Sequence, residues 1–375
     1  MPPSSLSPGQ AEAAAPAAAS RFALAVDAMG GDGAPEVVLD GLELAAERHM
    51  GARFLLFGDE ARIGPELARR RRAAAVCTLR HAPEVIGGEM KPTLALRMRQ
   101  SSMRMAIDAV ASGEAAGVVS AGNTGALMAL AKIVVKTLPE IDRPALAAIG
   151  PSARGDVVLL DLGANVQCDA RNLVEFAVMG DAFARAVLGL TAPTIGLLNV
   201  GTEELKGDER LRQAAETLRE SHIGPNFRGF VEGNDITAGT VDVIVTDGFT
   251  GNIALKTGEG ALKLMRDLLR QVFTSSMPAR LGYLLARPAL DRLREWMDPR
   301  RYNGAILLGL NGVVVKSHGS TDAFGFAHAM DVAMDMVNHG FQERIREGLA
   351  RLSSAAAPPR PSIEPPRLAS AGAGR

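Results

Sequence analysis

Cysteine, aromatic rings, net charge and long apolar runs are all scarce in this 375-residue chain, and each scarcity removes a class of function. The two cysteines, Cys77 and Cys168, lie far apart without a C-x-x-C or an adjacent histidine pair, so no disulfide framework or structural zinc site is expected. That usage fits a reducing cytoplasm. The six histidines show no metal-ligand spacing, and no metal is expected. With 41 basic against 42 acidic residues, the formal charge of -1 argues against a nucleic-acid footprint, so any basic patch must be local. No apolar run approaches the roughly 18 residues that span a bilayer, which restricts any membrane contact to the surface. The sequence also lacks G-x-S-x-G, G-x-G-x-x-G and G-x-x-x-x-G-K-[ST], leaving serine hydrolase, ordinary dinucleotide enzyme and P-loop readings without a motif.

What is present is a chain with 47% hydrophobic residues, long enough for one two-lobed unit or two joined domains. Short β-type runs alternate with helical ones, the pattern of a parallel sheet with crossover helices. Strands are expected at Phe22–Val26, Arg53–Gly58, Val76–Arg80, Val241–Val245 and several places between, with helices over Glu60–Arg72, Thr93–Ser112, Asn172–Leu188 and Asp322–Leu352. The organising stretch is Val118–Leu130. It passes from a β-type run through Ser120, Gly122, Asn123, Thr124 and Gly125 into a helix, offering unpaired N–H groups and a positive dipole end to an anion. The same order can also be plain α/β connectivity.

Polar strand-end loops recur. Asp27, Gly30 and Gly31 follow the first strand, where the carboxylate can orient a ligand or simply serve turn chemistry. Asp161 and Asn165 close another run, and Asn199 a third, just ahead of Lys206. Asp247, Gly248, Thr250 and Asn252 form a second copy of the organising loop, with a helix expected from Ile253 onward and Lys256 within it. Two such loops can face each other across a crevice at the strands' carboxyl ends. Lys91 and Arg97 give one segment a cationic face, either a binding surface or a solvated one. From about 261–301 the pattern is helical, with Leu264, Leu268, Leu281 and Leu284 against Arg266, Arg270 and Arg287. Such an amphipathic hairpin suits an anionic bilayer or a partner chain. Residues 1–20 and 353–375 are poor in large apolar side chains and are expected to be disordered tails around a unit at 21–352.

With no covalent nucleophile in view, the chain must rely on positioning and charge stabilisation. Attack of phosphate on a thioester meets that limit, because the nucleophile is already anionic and a thiol leaves readily. The motifs Asp27–Asp32, Ser120–Met128, Asp161–Val166, Leu197–Gly201, Thr246–Asn252 and Lys316–Gly319 together resemble bacterial phosphate acyltransferases, the acyl-[acyl-carrier-protein]:phosphate enzymes of phospholipid synthesis. The resemblance runs from about Arg21 to Leu352. It implies a three-layer α/β/α sandwich like that of isocitrate and isopropylmalate dehydrogenases and phosphotransacetylase, a homodimer without metal or cofactor, and a cytoplasmic protein touching the membrane peripherally.

The partners implied are acyl carrier protein, inorganic phosphate and a membrane glycerol-3-phosphate acyltransferase that uses the product. Carried onto this chain, Ser120, Gly122, Asn123, Thr124 and Gly125 hold phosphate, with Lys206 as charge partner. Asn252 and Lys256 polarise the thioester carbonyl, and Lys91 and Arg97 meet the carrier. Asp27, Gly30, Gly31, Asp161, Asn165, Asn199, Asp247, Gly248, Thr250 and His318 line the substrates. The alternatives are a phosphotransacetylase-like enzyme using acyl coenzyme A and a non-catalytic scaffold binding the carrier protein at the membrane.

Overall fold

Successive residues of the first strand belong to different cores: Leu24 and Val26 pack on one side of the sheet and Ala25 on the other. A strand buried on both faces needs helices on both faces, and the alternation of elements supplies them. The computed structural model describes residues 22–139, 141–296 and 298–355. Both expected tails fall outside these residues, apart from 353–355, which end the last helix.

The first half runs β1 (Ala23–Asp27), α1 (Glu36–Arg48), β2 (Arg53–Gly58), α2 (Glu60–Ala68), α3 (Arg71–Val76), β3 (Cys77–His81), α4 (Pro92–Ala95), α5 (Ser102–Ala111), β4 (Gly117–Ser120) and α6 (Thr124–Val134). The second runs β5 (Ala145–Ser152), β6 (Gly155–Leu160), α7 (Ala170–Val187), β7 (Ile195–Leu198), α8 (Glu209–Glu220), β8 (Phe227–Val231), α9 (Gly233–Ala238) and β9 (Val243–Val245). Then come α10 (Gly248–Thr274), α11 (Met277–Trp296), β10 (Ala305–Leu308), β11 (Val313–Lys316), α12 (Ala323–Asn338) and α13 (Phe341–Ala355).

All strands join one 11-stranded sheet in the order β3-β2-β1-β4-β11-β10-β5-β6-β9-β7-β8. Val38, Leu39 and Leu42 of α1, Phe176 and Phe183 of α7 and Phe326 and Met330 of α12 fill the core on one face. Met103 and Ile107 of α5 with Leu127 and Leu130 of α6 fill the other. At about 1.5–3 kcal/mol for each fully buried large side chain, these two cores dominate the stability of the sheet.

The strands from β3 to β11 in that order are mutually parallel, as are β6, β9, β7 and β8. Between them, β10 is antiparallel to both neighbours and β5 is antiparallel to β6, so the two blocks run in opposite directions. The last strand thus returns to the first block, where Lys316 pairs with Ser120.

Four expected helices are divided or shifted, the one over Glu60–Arg72 into α2 and α3, with Arg70 extended between them. The helix expected over Thr93–Ser112 is α4 and α5, because the Ser101 side chain accepts the Arg104 N–H and starts a new helix. Asp322–Leu352 is α12 and α13, broken at Gly340, whose φ of 58° leaves the helical region. The helix expected from Ile253 begins at Gly248, since Asp247 caps the Thr250 N–H, so Thr250 and Asn252 lie in a helical turn rather than a loop.

Candidate active site

Two polar clusters form at strand ends. The first gathers β1, β4 and β11. Asp27 is buried, accepting from Ser102 Oγ at 2.6 Å and the Met29 N–H at 3.3 Å through one oxygen, and from Ser120 Oγ at 2.7 Å through the other. Burial raises its pKa above the usual carboxylate value, against the opposing pull of the two serines. Ser120 Oγ also accepts the Gly122 N–H at 3.1 Å. A Cβ on Gly30 would lie 2.6 Å from Asp27 Oδ2 and 2.7 Å from the Gly122 nitrogen, so the turn closes only around glycine. Gly31 has φ 100°, and the next N–H, of Asp32, donates to Gly319 O at 2.9 Å.

Asn123 caps α6, accepting the Ala126 N–H at 2.9 Å, while its Nδ2 donates to Gly88 O at 2.6 Å and Met90 O at 3.0 Å. The Ser120 and Asn123 side chains, expected to hold phosphate, both bond within the protein in this arrangement. What the turn still offers is the Thr124 hydroxyl, exposed, and the N–H groups of Thr124 and Gly125, which have no partner within their own helix. Gly125 packs against Pro92, and the adjoining Lys91 and Arg97 are exposed. His318 is exposed, with its N–H donating to Asn303 Oδ1 at 2.8 Å.

Two further side chains join this cluster. Ser102 opens α5 and reaches Asp27 across a separation of 75 residues. Lys316 places Nζ 3.4 Å from Ala121 O and also donates to Ser317 O. Burial lowers its pKa to about 8, against the upward pull of Asp27 and Asp32. The only sequence signal for it was its place in the Lys316–Gly319 motif.

The second cluster gathers β6, β9 and β7. Asp161 is fully buried and accepts from the N–H groups of Leu146 at 2.9 Å, Gly163 at 3.2 Å, Ala164 at 2.9 Å and Asn165 at 2.6 Å, and from Asn165 Nδ2 at 2.9 Å. Gly248 donates to Asn165 O at 2.8 Å, and a Cβ on Gly251 would lie 1.9 Å from Asp161 O. Asn199 holds its own loop, donating to Lys206 O at 3.2 Å and accepting the Val200 N–H at 2.9 Å. Asp161, Asn165 and Asn199 are therefore tied into the loops that they were expected to turn toward a substrate. Arg210 donates to Cys168 O at 2.7 Å and so ties the β7 and β6 loops together. The Cys168 thiol is pushed up to about 11 by burial and then by Asp161, which keeps it from acting as a thiolate nucleophile.

Lys206, Thr250 and Lys256 stay exposed at this cluster, with Asn252 half-buried beside Gly163. Around them Val166, Val200, Leu205, Phe249 and Ile253 are exposed apolar side chains. From there α10 runs out of the core, with only Gly248 and Gly251 buried along its length, and meets α11 where the Phe273 and Tyr283 rings lie 5.7 Å apart.

The structure thus brings Asp27, Gly30, Gly31, Gly122, Asn123, Thr124, Gly125, Lys91 and His318 to one cluster, with Arg97 on the same segment as Lys91. Asp161, Asn165, Asn199, Lys206, Asp247, Gly248, Thr250, Asn252 and Lys256 belong to the other. Among the described residues no hydrogen bond or ion pair links the two, so any ligand shared between them would lie across a gap. No group of three or more His, Cys, Asp or Glu suited to a metal occurs among the described residues. A helix start with N–H groups unpaired in its own helix, close in sequence to a turn that a half-buried ammonium touches, can hold an anion; exposed lysines among apolar side chains can take an amphipathic acyl donor.

Residues 22–344 match the family described as "Fatty acid synthesis protein". A protein of Gluconacetobacter diazotrophicus named phosphate acyltransferase is 71% identical over 339 residues, 90% of this chain and 91% of that one. Another of the same name from Granulibacter bethesdensis is 69% identical, covering 93% of this chain and 96% of its own length. Among solved structures, a phosphotransacetylase from Streptococcus pyogenes superposes with a TM-score of 0.57 at 18% identity, covering 84% of this chain and 94% of that one, a likeness of fold.

Proposed function

The chain belongs to this family of phosphate acyltransferases, enzymes of fatty acid and phospholipid synthesis, and from that premise we propose that it converts long-chain acyl-[acyl-carrier-protein] and inorganic phosphate to acyl phosphate. Membership in an enzyme family removes the non-catalytic scaffold alternative. Phosphate binds at the Thr124 and Gly125 N–H groups. The observation that carries this placement is Asn123, which pins residues 88–90 to the helix start and caps the Ala126 N–H but not those of Thr124 and Gly125.

A phosphate oxygen attacks the thioester carbonyl, the C–O bond forms, the C–S bond breaks, and the carrier's thiol departs. Lys206, Asn252 and Lys256, with the apolar side chains around them, take the donor side, where an oxyanion needs donors and an acyl chain needs apolar contact. This reading sets the turn after β4 and the loops after β6 and β9, with five steps of the sheet between β4 and β9, on either side of one substrate pair. Lys91 and Arg97, exposed beside the first cluster, meet the acidic carrier.

The exposed leucines and arginines of α10 and α11 suit peripheral contact with a membrane or a second copy in a homodimer. No described helix is long and apolar enough to cross a bilayer. A cytoplasmic enzyme at that surface would pass its product to a membrane glycerol-3-phosphate acyltransferase. The decisive assay mixes purified protein with orthophosphate and either acyl carrier protein or coenzyme A thioester, trapping acyl phosphate as the hydroxamate. We expect rapid product from the carrier thioester and little from coenzyme A; the reverse preference would establish the phosphotransacetylase-like alternative.

A further inference from the structure

Lys316 stands at the end of β11, paired with Ser120, and its side chain turns into the first cluster. Its ammonium donates to Ala121 O in the organising turn and to Ser317 O in the following loop. One charged group therefore joins two loops, with 195 residues between Ala121 and Lys316. An ammonium has three donors and no acceptor, so two carbonyls leave one donor over. The carboxylates acting on it are Asp27 from β1 and Asp32 from the turn before α1, both by longer-range attraction. Asp27 is meanwhile bonded to Ser102 and Ser120 through its two oxygens.

A cation held by carbonyl dipoles is not neutralised as it would be in an ion pair. Burying such a charge is costly. An arriving phosphate would supply the missing counter-charge, and the cost would then become affinity for the anion. We propose that Lys316 is a phosphate-binding residue, joining the Ser120–Gly125 turn to the Ser317–Gly319 loop and presenting a positive charge without an ion-pair partner beside that turn. This rests on the reading that the turn takes phosphate, and it gives Lys316 the role of charge partner that the sequence had suggested for Lys206.

The charge is pH-dependent in a definite direction. With burial bringing the ammonium to about 8 and Asp27 and Asp32 pulling against it, the group is cationic at neutral pH and loses its charge as pH rises through that value. Phosphate affinity should therefore weaken on the alkaline side.

The test compares phosphate KM, donor KM and pH profiles for wild type, Lys316→Met, Lys316→Arg and Thr124→Pro, with melting curves for each. Thr124 is the first residue of α6, where proline is tolerated, so Thr124→Pro removes one proposed phosphate donor without breaking the helix. Lys316→Met should raise phosphate KM about tenfold, the loss expected for a charge-assisted hydrogen bond, and leave donor KM within about twofold. It should also abolish the alkaline limb near pH 8. Lys316→Arg should recover part of the affinity and move that limb out of range, because arginine stays charged. Should the methionine variant fail to fold, the arginine pH profile alone decides. Phosphate's own ionisation is common to every variant and cancels in the comparison.

If Thr124→Pro raises phosphate KM while both Lys316 variants keep wild-type phosphate KM and pH profile, the Lys316 inference is overturned and the turn retained. If Thr124→Pro leaves phosphate KM unchanged, the phosphate placement falls and the inference with it. Equal loss toward both substrates together with an unmoved alkaline limb would make Lys316 a structural residue only.

Discussion

Asp27 and Asp161 stand at similar places, closing β1 and following β6, yet their surroundings demand different things of them. Asp161 receives five hydrogen bonds, four from backbone N–H groups, and is the hub of its loop. Asp161→Ala would leave those donors unpaired in the interior, and a loss of about 3–5 kcal/mol should appear as a lower urea midpoint with unchanged slope. A loss under about 1 kcal/mol would mean that the loop rearranges to satisfy its donors. Asp27 is a carboxylate whose burial outweighs the hydrogen bonds that it accepts. Burial raises its folded pKa above 3.8, so the folded state binds this proton more tightly than the unfolded chain. The stabilisation from that proton is full below the unfolded value and is lost as pH rises through the raised folded one. Asp27→Asn does not titrate. Its unfolding free energy should therefore gain on that of wild type as pH rises from about 4 to about 7, whatever constant offset the new amide introduces. Urea titrations across that range give the slope, and a flat difference would show that burial does not penalise the charge.

At the scale of elements, the alternation of strands and helices and most strand positions were legible because buried strands and amphipathic helices carry strong periodic signals. Breaks were not. The α4–α5 junction depends on a Ser101 side chain folding back to cap, and the α12–α13 break on one glycine at positive φ, neither of which alters hydrophobic spacing. The polar loops of the site were legible as places, but several roles within them were not. Ser120 finds Asp27 across 93 residues and Asn123 finds Gly88 across 35, and a lone sequence gives no means to tell a short polar side chain that serves a distant loop from one that serves a ligand. The α10–α11 pair was legible because its apolar residues recur at helical spacing without a core to receive them. Leu264 and Leu284 are each 61% exposed, so converting them with Leu268 and Leu281 to Gln should leave the melting temperature nearly unchanged. Binding to anionic vesicles, followed by co-sedimentation, should fall sharply. Full retention of binding would remove these helices from membrane contact, and a halved molar mass in solution would assign the face to a second copy.

For the whole molecule, the arrangement that matters is two parallel blocks of opposite direction joined through β10 and β5, with β11 bringing the end of the chain back beside β4. That return completes the first cluster with Lys316 and His318 and leaves Lys206 in the second. Which cluster holds phosphate is then a question about linkage. A ligand that binds only the native state stabilises it by about 2.7 kcal/mol at a hundredfold excess over its Kd, enough to move a melting transition measurably. Inorganic phosphate alone should raise the melting temperature of the wild-type protein. The rise should vanish in Thr124→Pro, which lacks a first-cluster donor, and persist in Lys206→Ala, whose missing ammonium lies exposed 3.9 Å from Glu203 at the other edge. The opposite pattern would place phosphate among the exposed lysines of the second cluster. The acyl thioester would then have to approach the first, where the open N–H groups of α6 would serve the developing oxyanion instead of the nucleophile.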